Sequence, residues 1–168
     1  MTNFVTIADF KGNFNIPIST MNEADFEANY TTKYQKEILI KLLGFDLYCA
    51  FETGLAVVPT PDAIWTDLKN GSTFTVDSIK YQNPGCKNII VAYTYCKWLS
   101  ANFETLTAMG VTNQKTENSD KISPENKITQ AWNEMYSEIE KLYSFILENE
   151  SNYSNWEPTY FQLMTYGF

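Results

Sequence analysis

The stretch "KNIIVAYTYCKWLSANF", residues 87–103, decides how the rest of the chain is read. After its opening Lys87, the only charge is Lys97, and apolar side chains fall on nearly every face of a helical projection. A helix that is apolar all round is buried on more than one side. It is also too short, and too interrupted by Thr94, Lys97, Ser100 and Asn102, to cross a bilayer, which takes about 18 or more apolar residues. The segment therefore predicts a central helix with other helices packed around it.

Toward the C-terminus, residues 105–123 read as a long polar loop, longer than compact domains usually carry without a use. Beyond it, Ser123 can cap a helix, Pro124 suits its first position, and Glu125 suits the positive end of its dipole. Ile128, Trp132, Met135, Ile139, Leu142, Tyr143 and Ile146 then form one stripe, with Glu134, Glu138, Glu140, Lys141 and Glu148 outside it. That periodicity predicts an amphipathic helix packed by one face.

Toward the N-terminus, residues 73–85 alternate Phe74, Val76, Ile79 and Tyr81 about Asp77-Ser78, the pattern of a small hairpin or of two extended pieces. Before it, "PTPDAIWTDLKNG" reads as a short helix started by Pro61 or Asp62 and stopped by Asn70-Gly71, and "FDLYCAFETG" as another ended by Gly54. Residues 21–44 read as a longer helix: Asn22 can cap, Glu23 and Asp25 suit the dipole, Phe26, Tyr30, Tyr34, Ile38 and Leu42 recur every four residues, and Gly44 suits the stop. Residues 1–20 show no sustained period and read as an extended arm. The fold expected is mainly α: about four helices in a connector-type bundle with one small β element. It comprises an N-terminal arm (1–20), a helical core (21–150) and an aromatic C-terminal tail (151–168), with "NESNYSN" as a short linker.

The chemistry is sparse. There is no His, which removes the usual general base, Ser-His and Cys-His nucleophile pairs and His-containing zinc or di-iron motifs. Glu134 and Glu138 are spaced to share a helix face but point away from the apolar stripe, as a solvated acidic face does. The glycines form no phosphate-cradling pattern. Net charge is −8, and the lysines are scattered, Lys33, Lys36 and Lys41 being the densest group without sharing a narrow face. Clustered cations that would track a phosphate backbone are therefore not expected, and Tyr93, Tyr95 and Trp98 read as packing rather than as base-stacking groups. Cys49, Cys86 and Cys96 lack C-x-x-C spacing and read as reduced, buried thiols. These readings assign no catalytic, cofactor or metal residues and no enzyme activity, and they place the protein in a cytoplasm without a membrane anchor.

What stands out is the end, "WEPTYFQLMTYGF" (156–168), because chain ends are usually polar and frayed. Pro158 and the polar linker interrupt the helix before it, so Tyr160, Phe161, Leu163, Met164, Tyr166 and Phe168 form the candidate assembly interface, expected to become ordered on a neighbouring subunit. On that reading, truncation before Tyr160 leaves the monomer's thermal unfolding nearly unchanged.

The order of motifs carries a resemblance. "KYQKEILIKLLGFDLYCAF" (33–51), "IWTDLKNGSTFTV" (64–76), "IKYQNPGCKNIIVAYTYCKWL" (79–99), the polar "MGVTNQKTENSD" (109–120) and "AWNEMYSEIEKLYSFI" (131–146) together resemble head–tail connector proteins of tailed bacteriophages. The similarity is greatest to the small ring or adaptor proteins of crAss-like phages. It implies a structural virion protein at the head–tail interface, assembled in the host cytoplasm as a homo-oligomeric ring, commonly twelvefold. Its partners would be the portal and neighbouring tail or ring proteins, with DNA only passing through the channel. It carries over no individual functional residue. The alternative is a soluble acidic helical binding module, either a host-directed inhibitor or a DNA mimic, and an enzyme using carboxylates alone is the third class.

Overall fold

The computed structural model describes residues 3–16, 22–108 and 124–164. It is mainly helical with one small antiparallel sheet. In chain order it comprises α1 (Glu23–Phe26), a π-helical turn (Glu27–Thr31), α2 (Thr32–Leu43), α3 (Phe45–Leu55), α4 (Ala63–Asn70), β1 (Ser72–Val76), β2 (Ile79–Asn83), α5 (Gly85–Ala108) and α6 (Pro124–Glu148).

The central helix is α5. Ile89, Ile90, Val91, Ala92, Tyr93, Tyr95 and Cys96 are all buried, and α5 touches α6, α2 and α4. By contrast α6 buries one face only, through Ala131, Met135, Ile139, Leu142, Phe145 and Ile146, with Trp132 and Tyr143 half-buried at its margin. Residues 105–108, expected in the polar loop, are the last turn of α5; the remainder of that loop and the Ser123 cap lie outside the described residues.

The local signals act as expected at several ends. The Asn22 side chain accepts from the Ala24 amide at 3.0 Å, and Asp62 does the same for Ile64 at 3.1 Å. Both turn residues of the hairpin, Asp77 and Ser78, adopt positive φ, so the connection has the twist that two-residue hairpins need. Gly54, expected to end α3, lies inside it instead; a side chain there would collide with the Trp65 indole, so the missing Cβ serves helix-to-helix contact. Cys86 and Cys96 are buried, which pushes both thiols up to about 12, whereas Cys49 is exposed rather than buried.

The N-terminal segment is an arm in backbone only. Between two 3-10 turns (Ile7–Asp9 and Gly12–Phe14) it runs extended, yet Phe4, Val5, Ile7, Phe10 and Ile16 are buried in the chain's own core. The Phe4 amide donates to the buried Gln35 side chain at 2.7 Å, and Asp9 pairs with Lys87 at 2.8 Å. Aromatic contacts continue from Phe10 through Phe26, Tyr30, Tyr34, Tyr93 and Trp132 to Phe161, with successive ring centroids 5.1, 5.5, 6.2, 6.2, 6.3 and 6.3 Å apart. This ladder joins the first described segment to the last.

Candidate assembly surface at the C-terminal tail

The C-terminal end of α2 leaves carbonyls without intrahelical donors, as every helix end does. Here the tail supplies them. The Thr159 amide donates to the Lys41 carbonyl at 2.7 Å, the Trp156 indole N–H to the Leu42 carbonyl at 2.9 Å, and the Glu157 amide to the Leu43 carbonyl at 3.3 Å. Gly44, with φ 78°, makes room for this crossing: a Cβ there would lie 2.7 Å from the Glu157 carbonyl oxygen.

The tail then follows α6. Tyr143 donates to the Thr159 carbonyl at 3.1 Å, and the Trp132 indole to the Gln162 carbonyl at 2.8 Å. Asn133 accepts from the Met164 amide at 3.0 Å and donates to its carbonyl at 3.3 Å. Trp156 meets Tyr143 edge-on at 5.0 Å, and Phe161 packs on Trp132. The linker expected before the tail is itself anchored: Tyr153 is buried against Trp65 and Phe145, its hydroxyl donating to the Ile64 carbonyl at 2.9 Å.

The tail was expected to be ordered only on a neighbour, but it lies on its own chain because α2 and α6 present it with acceptors and donors at backbone spacing. The six candidate residues divide. Phe161 turns inward, while Tyr160 is 86% exposed, Leu163 56% and Met164 39%. Tyr166 and Phe168 lie outside the described residues. Beside the outward residues, Tyr136, Tyr143, Leu147, Tyr160 and Phe161 line a groove of about 320 Å³ with Glu140 on its helical wall. An apolar strip of this kind, held in place by backbone hydrogen bonds, can dock another apolar surface without reordering itself.

Next to the tail lies a polar cluster missed in the sequence. Glu37 accepts from the Tyr93 hydroxyl and from Lys41 at 2.9 Å, and Lys97 of α5 stands 4.0 Å away. Lys41 and Lys97 lie over the Tyr93 ring at 5.4 and 5.2 Å, and Lys33 over Tyr34 at 5.1 Å. Burial tends to raise the Glu37 pKa, but hydrogen bonds from Lys41 and Tyr93 and the nearby ammonium charges hold it below its ordinary value. The Tyr93 hydroxyl is pushed up to about 12 by burial and by its bond to Glu37. The Glu37–Lys41 spacing was a visible clue to an ion pair, but nothing local announced that Lys97 would join it.

Glu134 and Glu138 sit on the other flank of α6. Asn13 and Gln130 donate to Glu134 at 3.2 and 3.0 Å, and Lys141 pairs with Glu138 at 2.6 Å. Among the described residues, no group of three or more His, Cys, Asp or Glu is placed to hold a metal ion, and no helix is long and apolar enough to cross a membrane.

The described residues define a mainly helical unit in which both chain ends wrap around α2, α5 and α6. The chain belongs to DUF6712, a family of unknown function whose model matches residues 39–161. The match begins inside α2 and ends at Phe161, so it spans the docked stretch 156–161 and leaves out the N-terminal wrapping segment. No curated protein and no solved structure matches the chain.

Proposed function

We propose that this chain is a structural virion protein, a ring-forming adaptor between portal and tail in a tailed bacteriophage. The motif order supports this reading through its resemblance to head–tail connectors. The observation that carries it is the tail: a segment pinned by its backbone to α2 and α6 that turns Tyr160, Leu163 and Met164 outward. Large apolar side chains on an already ordered strip suit a permanent contact with another protein, since little conformational entropy remains to be lost on docking. The net charge of −8 suits a channel past which DNA slides without adhering.

Electron microscopy of purified virions, with mass-spectrometric identification of the chain in the head–tail density, tests the proposal. Native mass spectrometry of the chain alone and with the portal protein is expected to show ring or portal-bound species. A stable symmetric dimer that ignores the portal would overturn the reading, as would absence of the chain from virions.

A further inference from the structure

One side of α6 carries a protrusion and the other an opening. The hairpin packs on α6 through Phe74 against Phe145, ring centroids 5.5 Å apart, and two strands alone need such support. Toward its tip the apolar face overhangs into solvent: Ile79 is 57% exposed and Tyr81 46%, with Lys80 exposed on the opposite face of β2. The groove beside the tail is lined by Tyr143 and Leu147, each two residues from Phe145 along α6. At about 100° per residue, two residues are roughly 200° apart, so the hairpin and the groove face opposite ways from one helix.

Their chemistry is complementary. The hairpin tip offers Ile79 and Tyr81 on one face and the Lys80 ammonium on the other. The groove offers Tyr160 and Leu147, 86% and 59% exposed, and the exposed carboxylate of Glu140 on its α6 wall. Lodged between the two walls, the tip would turn Ile79 and Tyr81 to Tyr160 on the tail, while Lys80 on the opposite face of the strand meets Glu140 on α6.

We infer that the groove between α6 and the tail receives the hairpin tip of a second copy of this chain. The contact is heterologous: each copy uses its hairpin toward one neighbour and its groove toward the other, so the contact propagates and ends in a ring if the rotation closes. The inference deepens the adaptor reading and rests on it for closure, because it names what occupies one part of the tail surface.

Charge exchange tests it. In sedimentation velocity and native mass spectrometry, Lys80→Glu and Glu140→Lys are each expected to weaken self-association by at least about tenfold while leaving thermal unfolding unchanged. An equimolar mixture of the two variants is expected to restore association, because each reversed surface then meets a complement. Ile79→Ser, at an exposed tip, is expected to weaken it without charge change. Self-association unaffected by all three variants, or a wild-type chain that stays monomeric at every concentration, overturns the inference. If the chain is nevertheless found in virions and binds the portal, the adaptor reading survives that failure. If association follows the charge exchange but the chain is absent from virions, the adaptor reading falls and the copy-to-copy contact stands.

Discussion

The two ends of this chain wrap the same helices by opposite means. The N-terminal segment is held by its side chains: Phe4, Val5, Ile7, Phe10 and Ile16 enter the core, and only a few polar contacts fix its path. Residues 156–164 of the tail are held chiefly by main-chain groups and two indole N–H donors, and they keep Tyr160, Leu163 and Met164 outside. An end that buries its apolar groups contributes to the monomer's stability. An end that is positioned by hydrogen bonds and exposes them is available to a partner.

The largest expected effect follows from removing residues 1–16. Five buried apolar side chains, worth about 1.5–3 kcal/mol each as upper estimates, approach the whole stability of a domain. Circular dichroism on heating is expected to show no cooperative transition. A deletion that melts within a few degrees of the full chain would mean that the ends do not differ as described.

A single change comes next. Tyr153→Ala removes a ring packed between Trp65 and Phe145 together with its hydroxyl's hydrogen bond to the Ile64 carbonyl, and is expected to cost about 3–5 kcal/mol in urea unfolding. Truncation before Tyr160 is milder. It forfeits the packing of Phe161 on Trp132 and the Gln162 and Met164 hydrogen bonds, about 1–3 kcal/mol in all, while Trp156 and Thr159 stay docked. That is more than the near-zero change expected from sequence, because Phe161 turns inward.

These differences track what a sequence can show. Asn22, Asp62, Gly44 and the Asp77-Ser78 turn act within a few residues of themselves, and the stripe on α6 repeats at the helical period, so those elements were legible. The docking of the tail was not, because its acceptors are the backbone carbonyls of Lys41, Leu42 and Leu43, which any residue type carries and which lie more than a hundred residues away. The N-terminal segment hid its role because it packs through individual aromatics on irregular backbone, which leaves no period to detect. Gly54 looked like a helix stop because the Trp65 ring that requires it comes from another helix. Of the candidate interface, the apolar content was legible, whereas the division between Phe161 and its outward neighbours depended on where Trp132 stands.

Acid titration probes the polar cluster beneath the tail, where the effect is smaller. The Glu37 pKa is depressed below its ordinary value of 4.5, so the unfolded chain binds the proton more readily than the folded one. Its contribution is therefore complete above about that pH and is lost as the pH falls through the lower folded value. Glu37→Gln is expected to flatten this part of the stability curve in urea unfolding between pH 5 and pH 3, to within the slope left by Asp9, which is depressed in the same direction as Lys87 and Thr6 outweigh its burial. An unchanged slope would mean that the cluster has the same proton affinity folded and unfolded.

The smallest effect on the monomer carries the most information about function. Replacing Tyr160, Leu163 and Met164 together by Ser removes largely exposed apolar surface and the contact of the Met164 sulfur with the Thr129 hydroxyl but breaks no main-chain hydrogen bond, so each substitution should cost no more than surface substitutions usually do, about 0.5 kcal/mol. If the outward side of the tail is the docking strip, the same variant loses ring formation or portal binding in native mass spectrometry, because a few large side chains that become desolvated, tyrosine foremost among these three, carry most of the energy of such contacts. Stability and assembly would then separate cleanly at one end of the chain, while at the other end no substitution of the buried Phe4, Val5 or Phe10 could lower assembly without first lowering the melting temperature. A triple variant that unfolds early would place those three side chains in the monomer's own core, and one that assembles normally would move the docking strip elsewhere.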